Sequence, residues 1–429
     1  MSVPPDHVAA ALADAHRREW AFVLAATVRV AGDLDLAEEC AQEAYVDALG
    51  VWSRVGVPHR PGAWLTTTAR RRAVDRLRRE DTLRRKLPLL VEPVEAEASG
   101  SASGASDGTT DGTRAGGEAA VPDDRLRLVF TCCHPALEPA ARVALTLRFV
   151  CGVATPDVAR AFLVPEPTMA ARLTRAKKKI TAARIPYRTP SAAELPERVD
   201  SVLDTVHLLF STGHTAPTGE HLVRDDLCER ALDLARTLAA LLPAEPEVRG
   251  LLGLLLLTHA RRRARLDGHG ALMLLDEQDR RCWDEHMIVE GLRHTVEGLR
   301  VARPGRFALQ AAIAGAHAVA PSFAATDWGG VVHLYDLLLA VEPSPVVELN
   351  RASALAFAEG PEAALAVVDR LAGDGRLRAY PYVHAVRADL LRRVGRVEPA
   401  VEAYRAALDL TANAAERAFL GRRIAELTA

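Results

Sequence analysis

The stretch from Pro88 to Asp124 constrains everything around it. It carries Glu92, Glu95, Glu97, Asp107, Asp111, Glu118, Asp123 and Asp124 against the single cation Arg114, with SGSASGASDGTTDGTRAGG at its centre. A segment so polar, glycine-rich and one-signed in charge cannot bury enough apolar surface to order itself. It is predicted to be a flexible acidic linker over 87–123, so the ordered parts of the chain must be built on either side of it.

The 429 residues leave ample length for several domains. Aromatics are only 5% of the chain while Ala, Leu and Arg abound, which favours helix over sheet, and an all-α fold is expected. A net charge of −2 exerts no global pull on nucleic acid, so any such binding has to come from locally segregated charge. Cys40, Cys132, Cys133, Cys151, Cys228 and Cys282 are scattered, which argues against a disulfide framework and for a reducing compartment. The longest apolar run, Leu251–Leu257, is far too short for a membrane span, and the N-terminus lacks a charged-then-apolar signal pattern. A cytoplasmic protein without membrane contact is expected.

Residues 6–86 read as helical. The first helix carries Val8, Leu12, Trp20, Phe22 and Leu24, and a second over Leu34–Val51 has apolar positions at Leu36, Ala37, Ala41, Ala44, Tyr45 and Leu49. On its other face Glu38, Glu39, Gln42, Glu43 and Asp47 recur at helical spacing, forming one stripe. A loop, Ser53–Gly62, leads to AWLTTTARRRAVDRLRRED, where Trp64, Leu65, Thr68, Ala69 and Leu77 are expected to pack inward while Arg70, Arg71, Arg72, Arg76, Arg78 and Arg79 crowd the remaining faces.

After the linker, residues 124–188 supply two helices and then TPDVARAFLVPEPTMAARLTRAKKKI. Ala159, Phe162 and Leu163 on a short helix, a turn at Val164-Pro165-Glu166-Pro167, and Met169, Leu173, Ala176 and Ile180 on a second helix make a helix-turn-helix pattern. After Glu166 the second helix holds Arg172, Arg175, Lys177, Lys178, Lys179 and Arg184 and no acid. In a major groove, Thr168, Ala171 and Arg172 would read base edges while Arg175 and Lys178 grip the phosphates. A solvated basic face is the competing explanation. Adjacent Cys132, Cys133 and His134 invite a zinc site, but two neighbouring cysteines diverge on a helix and no CxxC pair accompanies them; no metal or other cofactor is expected.

An acidic-striped helix, a Trp-Leu-led basic helix, an acidic linker and a helix-turn-helix, in that order over Asp6–Arg184, resemble an extracytoplasmic-function (ECF) sigma factor of bacterial RNA polymerase. The resemblance implies that Leu36–Asp47 docks on the clamp coiled coil of the β′ subunit through Glu38, Glu39, Gln42, Glu43 and Asp47. It implies that Ser53–Gly62 and the helix with Trp64, Arg70, Arg71, Arg72, Arg76 and Arg78 capture an unstacked base of the −10 element. Arg71 stands where the family usually has Asn. It further implies that 124–188 engages the β flap and reads the −35 element in promoter DNA through Thr168, Ala171, Arg172, Arg175, Lys177 and Lys178, with Pro165 and Pro167 where Ser and Gly are common. The acidic linker would thread the polymerase's active-centre and RNA-exit path.

Such factors ordinarily end near residue 185, yet a long helical sequence follows over 195–429. Asp225–Leu242 is strongly amphipathic and Glu247–His259 is apolar nearly all round, so the latter is expected to be buried. A charged, glycine-containing turn then precedes Asp276, Glu277, Gln278, Asp279, Arg280, Trp283 and Asp284. Helix caps and surface pairs account for most such clusters; a regulatory recognition site at Gln278, Asp279, Arg280 and Trp283 is the alternative. Leu349–Ala372 and His384–Leu410 repeat one helix-pair pattern, with Gly360 and Gly395 at matching turns and Leu365 and Tyr404 pointing inward, close to the tetratricopeptide interval and clearest over 345–429. Asp327–Pro343 looks like part of a degenerate earlier unit. The whole resembles the ECF subgroup with a tetratricopeptide-like C-terminal extension. Tethered closely after Ile185, an extension that promoter recognition does not require is expected to control activity in cis, with a peptide, protein or small-molecule effector there.

No phosphate loop, ordered nucleophile–His–acid set, HExxH or paired-carboxylate motif is present, so an enzyme is not expected. A one-component helix-turn-helix regulator with a tetratricopeptide-like sensor is the alternative, but it has no need of the Trp64–Arg79 helix and no heptad dimer seam is seen. An adaptor whose repeats bind peptides would leave the basic helices unexplained.

Overall fold

Proline placement sets many of the helix starts. Pro139, Pro246, Pro345, Pro361 and Pro381 each stand at the first helical residue, where the missing N–H costs nothing and the fixed φ suits a helix. A computed structural model describes residues 5–90, 124–162, 164–216, 218–219 and 222–428; the expected linker from 91 to 123, and Leu163, lie outside the described residues. Among the described residues the fold is all-α apart from one two-residue parallel strand pair and a single bridge between Leu266 and Leu272. By internal contact the chain divides into two compact units, Met1–Val199 and Asp200–Ala429.

In the first unit, α1 (Pro5–Ala31), α2 (Leu34–Val55) and α3 (Pro61–Leu90) pack on one another. The buried line of α2 is Leu34, Ala37, Cys40, Ala41, Ala44, Ala48 and Trp52. Because the alanines let α1 approach closely, the seam centres on them; Leu49 is 52% exposed and Phe22 41% exposed, contrary to the inward placement read from periodicity. Asp33 caps α2 by accepting from the Leu36 amide at 2.9 Å. The third helix runs on to Leu90, into the stretch read as linker from residue 87.

Helices α4 (Asp124–Cys132) and α5 (Pro139–Leu145), a π-helical turn at Thr146–Val150, α6 (Thr155–Ala161) and α7 (Glu166–Ala182) complete this unit. Helix α6, the turn to Pro165 and α7 form the helix-turn-helix, with Val158, Ala159, Met169, Leu173, Ala176 and Ile180 buried between its parts. The segments before and after the linker do not stand apart: α4 lies on α1, Trp20 Nε1 donates to Phe149 O at 3.0 Å, and the Tyr187 hydroxyl donates to Ala25 O at 2.8 Å. Cys132 and Cys133 are wholly buried, with Cys133 Sγ 3.3 Å from Thr146 Oγ1. Among the described residues no group of three or more His, Cys, Asp or Glu side chains is placed to hold a metal ion.

The unit boundary falls within α8 (Leu195–His214). The second unit continues with α9 (Asp225–Leu241), α10 (Pro246–His259), α11 (Glu285–Leu299), α12 (Arg306–Val319), α13 (Trp328–Val341), α14 (Pro345–Ala358), α15 (Pro361–Ala372), α16 (Pro381–Arg393), α17 (Val397–Leu410) and α18 (Ala414–Thr428), each from α10 on packed against the next. Helix α10 is buried because α9, α11 and α12 surround it. Its glycines permit that approach: a Cβ on Gly250 would meet Ala308 N at 2.4 Å, and one on Gly253 would meet Thr295 Oγ1 at 2.6 Å. In the two repeat pairs, α14–α15 and α16–α17, Gly360 and Gly395 take φ of +106° and +79°, which L side chains resist. Leu365 and Tyr404 point into their common core with Leu349, Val368, Leu390 and Leu420. Strand β1 (Thr218–Gly219) pairs with β2 (Ala412–Asn413), and the buried Asn413 amide donates to Ala216 O at 3.0 Å, tying the loop after α8 to the end of the repeats. Among the described residues no helix is long and apolar enough to cross a membrane.

Candidate nucleic-acid interface

The acidic stripe and the basic helix face each other. Because α2 and α3 lie side by side, Arg72 Nη1 reaches Glu43 at 2.6 Å while its Nε and Nη2 bond Asp47 at 2.8 and 2.5 Å. Arg76 bridges Glu39 at 2.8 Å and Glu43 at 2.6 Å. These bonds, that to Asp47 for Arg72 and that to Glu39 for Arg76 foremost, hold both guanidinium pKa values above their ordinary range. Two of the six expected cations of α3 are thus engaged within the fold, while Arg70, Arg71, Arg78 and Arg79 are exposed. Trp64 is half-buried, its ring edge-on to the buried Trp52 at 5.7 Å, so one side of the expected aromatic platform is already covered. Leu65, Thr66, Ala69 and Ala73 form the inward line of α3; Leu77 is half-buried.

The stripe divides. Glu39 and Gln42 are exposed, and Glu43 and Asp47 are half-buried under their arginines. Glu38 turns toward the helix-turn-helix side, where it ion-pairs with Arg148 of the π turn; the side chains are 12% and 16% exposed. Burial raises the Glu38 carboxyl pKa, and the charges of Arg148 and Lys177 oppose that shift.

On α7 the exposed residues Thr168, Ala171, Arg175 and Lys178 follow i, i+3, i+7 and i+10 spacing, which puts them along one outward line. Arg172 is half-buried, its guanidinium 5.4 Å from the Phe162 ring centre. Lys177 turns the other way: it ion-pairs with Asp35 at the start of α2 and lies 5.9 Å from the Phe149 ring, so it is not on the outward line with Lys178.

The arrangement can therefore do two things: present cations and small polar groups to a duplex along α7, and present Arg70, Arg71 and Arg78 to single-stranded phosphates along α3. Residues 16–82 match Sigma-70 region 2, and residues 127–180 match Sigma-70, region 4. The chain belongs to the ECF-like sigma factors and carries a C-terminal extension. Within that extension, residues 198–298 match a family of unknown function (DUF6596). An uncharacterized protein of Rhizobium meliloti (strain 1021) is 43% identical over 406 residues, which is 95% of this chain and 93% of that one. The sigma regions give the protein a role in transcription initiation, in partnership with RNA polymerase and promoter DNA. They describe DNA-binding transcription factors rather than enzymes.

In the extension, the residues singled out by sequence separate into surface and interior. Asp279 caps a 3-10 turn and pairs with exposed Arg281 at 2.8 Å. Asp284 caps α11 by accepting from the Met287 amide at 3.1 Å. Gln278 Nε2 donates to Met273 O at 3.3 Å. Trp283 is interior, only 7% exposed, while the half-buried Arg280 stacks on it at 4.5 Å and donates to His317 O and Ala320 O, both at 2.7 Å. Arg148 and Asp35 were missed by sequence reasoning, and Trp20 was read as a packing residue without its bond to Phe149. The signal for Arg148 was a lone cation in the apolar run Leu145–Val150.

Proposed function

We propose that this sigma factor docks on the β′ clamp of core polymerase through the exposed part of the α2 stripe, Glu39 and Gln42 with Glu43 and Asp47 beside them. Residues 6–86 then serve −10 recognition, with Trp64 and the outward cations Arg70, Arg71 and Arg78 holding the opened strand. Residues 124–188 engage the β flap and read the −35 element, with Thr168, Ala171 and Arg172 at base edges and Arg175 and Lys178 on phosphates. The observation that carries the reading is the outward line on α7, continuous from Thr168 to Lys178 and free of acid.

The second unit controls this activity in cis. Holding a regulator on the same chain keeps its effective concentration high, on the order of millimolar for a short connection, so weak contacts suffice. Run-off transcription with bacterial core polymerase from the promoter of the protein's own operon tests both parts. The comparison is between the full chain and a chain ending at Val199, which retains Arg198 and its buried bond to Phe130 O. Sigma activity should appear with the full chain and change, up or down, on truncation. Equal activity would make the second unit an independent partner-binding module, and promoter binding that needs no core polymerase would favour a one-component regulator instead.

A further inference from the structure

The second unit contains a cavity of about 740 Å³ walled by α8, α10, α12, α13, α14 and the start of α16. Phe210, Leu254, Ile313, Leu338 and Val347 give it an apolar strip within an otherwise mixed polar lining. Arg261, just past the end of α10, also lines it, and its situation differs from that of its neighbours. Arg280 donates twice to backbone carbonyls, and Arg265 donates to His214 O and to Thr215 Oγ1. The Arg261 side chain has no hydrogen bond or ion pair among the described residues; it has only the Trp283 ring, at 5.7 Å, whose stacking it shares with Arg280.

A half-buried guanidinium without a protein acceptor has lost part of its hydration and gained only a ring face in return, so an added acceptor is favoured there. Burial, then repulsion by Arg265 and Arg280, pushes the Arg261 pKa down to about 10, which still leaves it charged at neutral pH. The acid on the cavity wall, Glu342, is 3.7 Å from Arg306. Two imidazoles on the wall add uncommitted polarity: Nδ1 of His214 and Nδ1 of His317 are both buried without a hydrogen-bond partner. Both rings are neutral near pH 7, since burial holds them at about 2 and about 4. Gln310 and Asn350 supply amides on the same wall.

We propose that this cavity binds a small organic acid, its carboxylate on Arg261 within reach of the His214 and His317 rings and its apolar body along Phe210, Leu254 and Ile313. Arg261 is the guanidinium here without an acceptor, Arg265 and Arg280, bonded to neutral oxygens, add to the positive field that favours an anion, and the apolar strip suits a carbon skeleton. The volume lies in the range of pockets that enclose small molecules. The site gives the cis-acting unit an effector of defined chemistry; only that consequence rests on the sigma reading, because binding is measured on the protein alone.

The test is calorimetry of the full chain with 4-phenylbutyrate, its neutral analogue 4-phenylbutanamide, and inorganic phosphate. A charge-assisted bidentate contact should make the acid bind about tenfold tighter than the amide. Arg261→Met should erase that difference while leaving amide binding in place, Arg261→Lys should retain part of it, and Arg263→Met, at an exposed neighbour, should retain all of it. Equal binding of acid and amide, or binding of neither, overturns the proposal on the unaltered protein, even should Arg261→Met fail to fold. Phosphate binding as tight as the acid would overturn the organic body, and an acid preference that survives Arg261→Met would overturn the assignment to Arg261.

Discussion

Glu38, on the acidic face of α2, ion-pairs with Arg148 of the π turn that precedes the helix-turn-helix. The pair sits with the Trp20–Phe149 hydrogen bond and the Lys177–Asp35 pair on one seam, which closes the two halves of the first unit on each other. Gly152, at φ +67°, completes it, since a Cβ there would lie 2.8 Å from Trp20 Cδ1. Glu38, which the sequence pattern grouped with the polymerase-facing stripe, is thereby held on this seam, so under the proposed function it can reach core polymerase only from a state in which the seam has opened.

Arg148→Gln should loosen this seam. It removes a partly buried charge-assisted bond, an interaction of about 1.5–3 kcal/mol in general, without touching a residue assigned to DNA or polymerase. Hydrogen exchange over residues 16–28 should quicken, and affinity for core polymerase should rise. Faster exchange with unchanged affinity would exclude Glu38 from the polymerase contact.

The stripe itself calls for variants that respect its internal pairing. Glu43 bonds both Arg72 and Arg76, so Glu43→Lys places three cations together and should lower stability by about 1 kcal/mol or more. Gln42→Lys, on the exposed side, should leave thermal unfolding within a few degrees and weaken core polymerase binding about tenfold or more. Retained binding by folded Gln42→Lys would remove this surface from the interface.

Much of this architecture was legible from periodicity because burial in helices follows it: Met169, Leu173, Ala176 and Ile180 are buried together, as are Leu365 and Tyr404. The turn residues Gly360 and Gly395 were legible because only their backbone suits that φ. Long-range pairing was not. Nothing in the local pattern tells that Arg72 meets Asp47, that Lys177 leaves the outward line for Asp35, or that Trp283 in a charged run is interior. Each depends on which helices become neighbours. Leu49 misled for the same reason: it keeps helical spacing, but small Ala44 and Ala48 bring α1 to a different line.

The second unit should lose stability in mild acid. Burial is the leading cause that holds His207, His214, His259, His294 and His317 below the ordinary imidazole range, His259 and His317 at about 4. Below roughly pH 6.5 the unfolded chain takes up protons that the folded rings refuse, so stability falls as pH drops from there toward 4. Asp200 and Glu247, whose carboxyls burial raises, act in the opposite sense. Thermal unfolding between pH 7.5 and 5 should show the melting temperature falling, and His259→Gln, at a ring 1% exposed, should flatten the slope. A flat profile in the unaltered chain would mean the rings titrate normally.

The α7 line makes separable demands on its cations. Lys178 is exposed and bonds nothing among the described residues, so Lys178→Ala removes a phosphate contact without disturbing packing. It should weaken cognate and unrelated duplexes equally, and the slope of log affinity against log salt should become shallower by about one. Arg172 is different, because its guanidinium lies over Phe162 and is therefore held in a defined direction beside Thr168 and Ala171. Arg172→Ala should relax preference for the −35 element, at a cost of about 1–3 kcal/mol on the cognate site and much less on unrelated DNA. Arg172→Lys keeps the charge but loses the planar fork, so it should retain nonspecific affinity and still lose discrimination. Holoenzyme binding to duplexes with systematic changes in the −35 element, at several salt concentrations, separates these outcomes. Should Lys178→Ala change preference and Arg172→Ala leave it intact, the helix would be docked in the groove the other way round, with its C-terminal half at the bases.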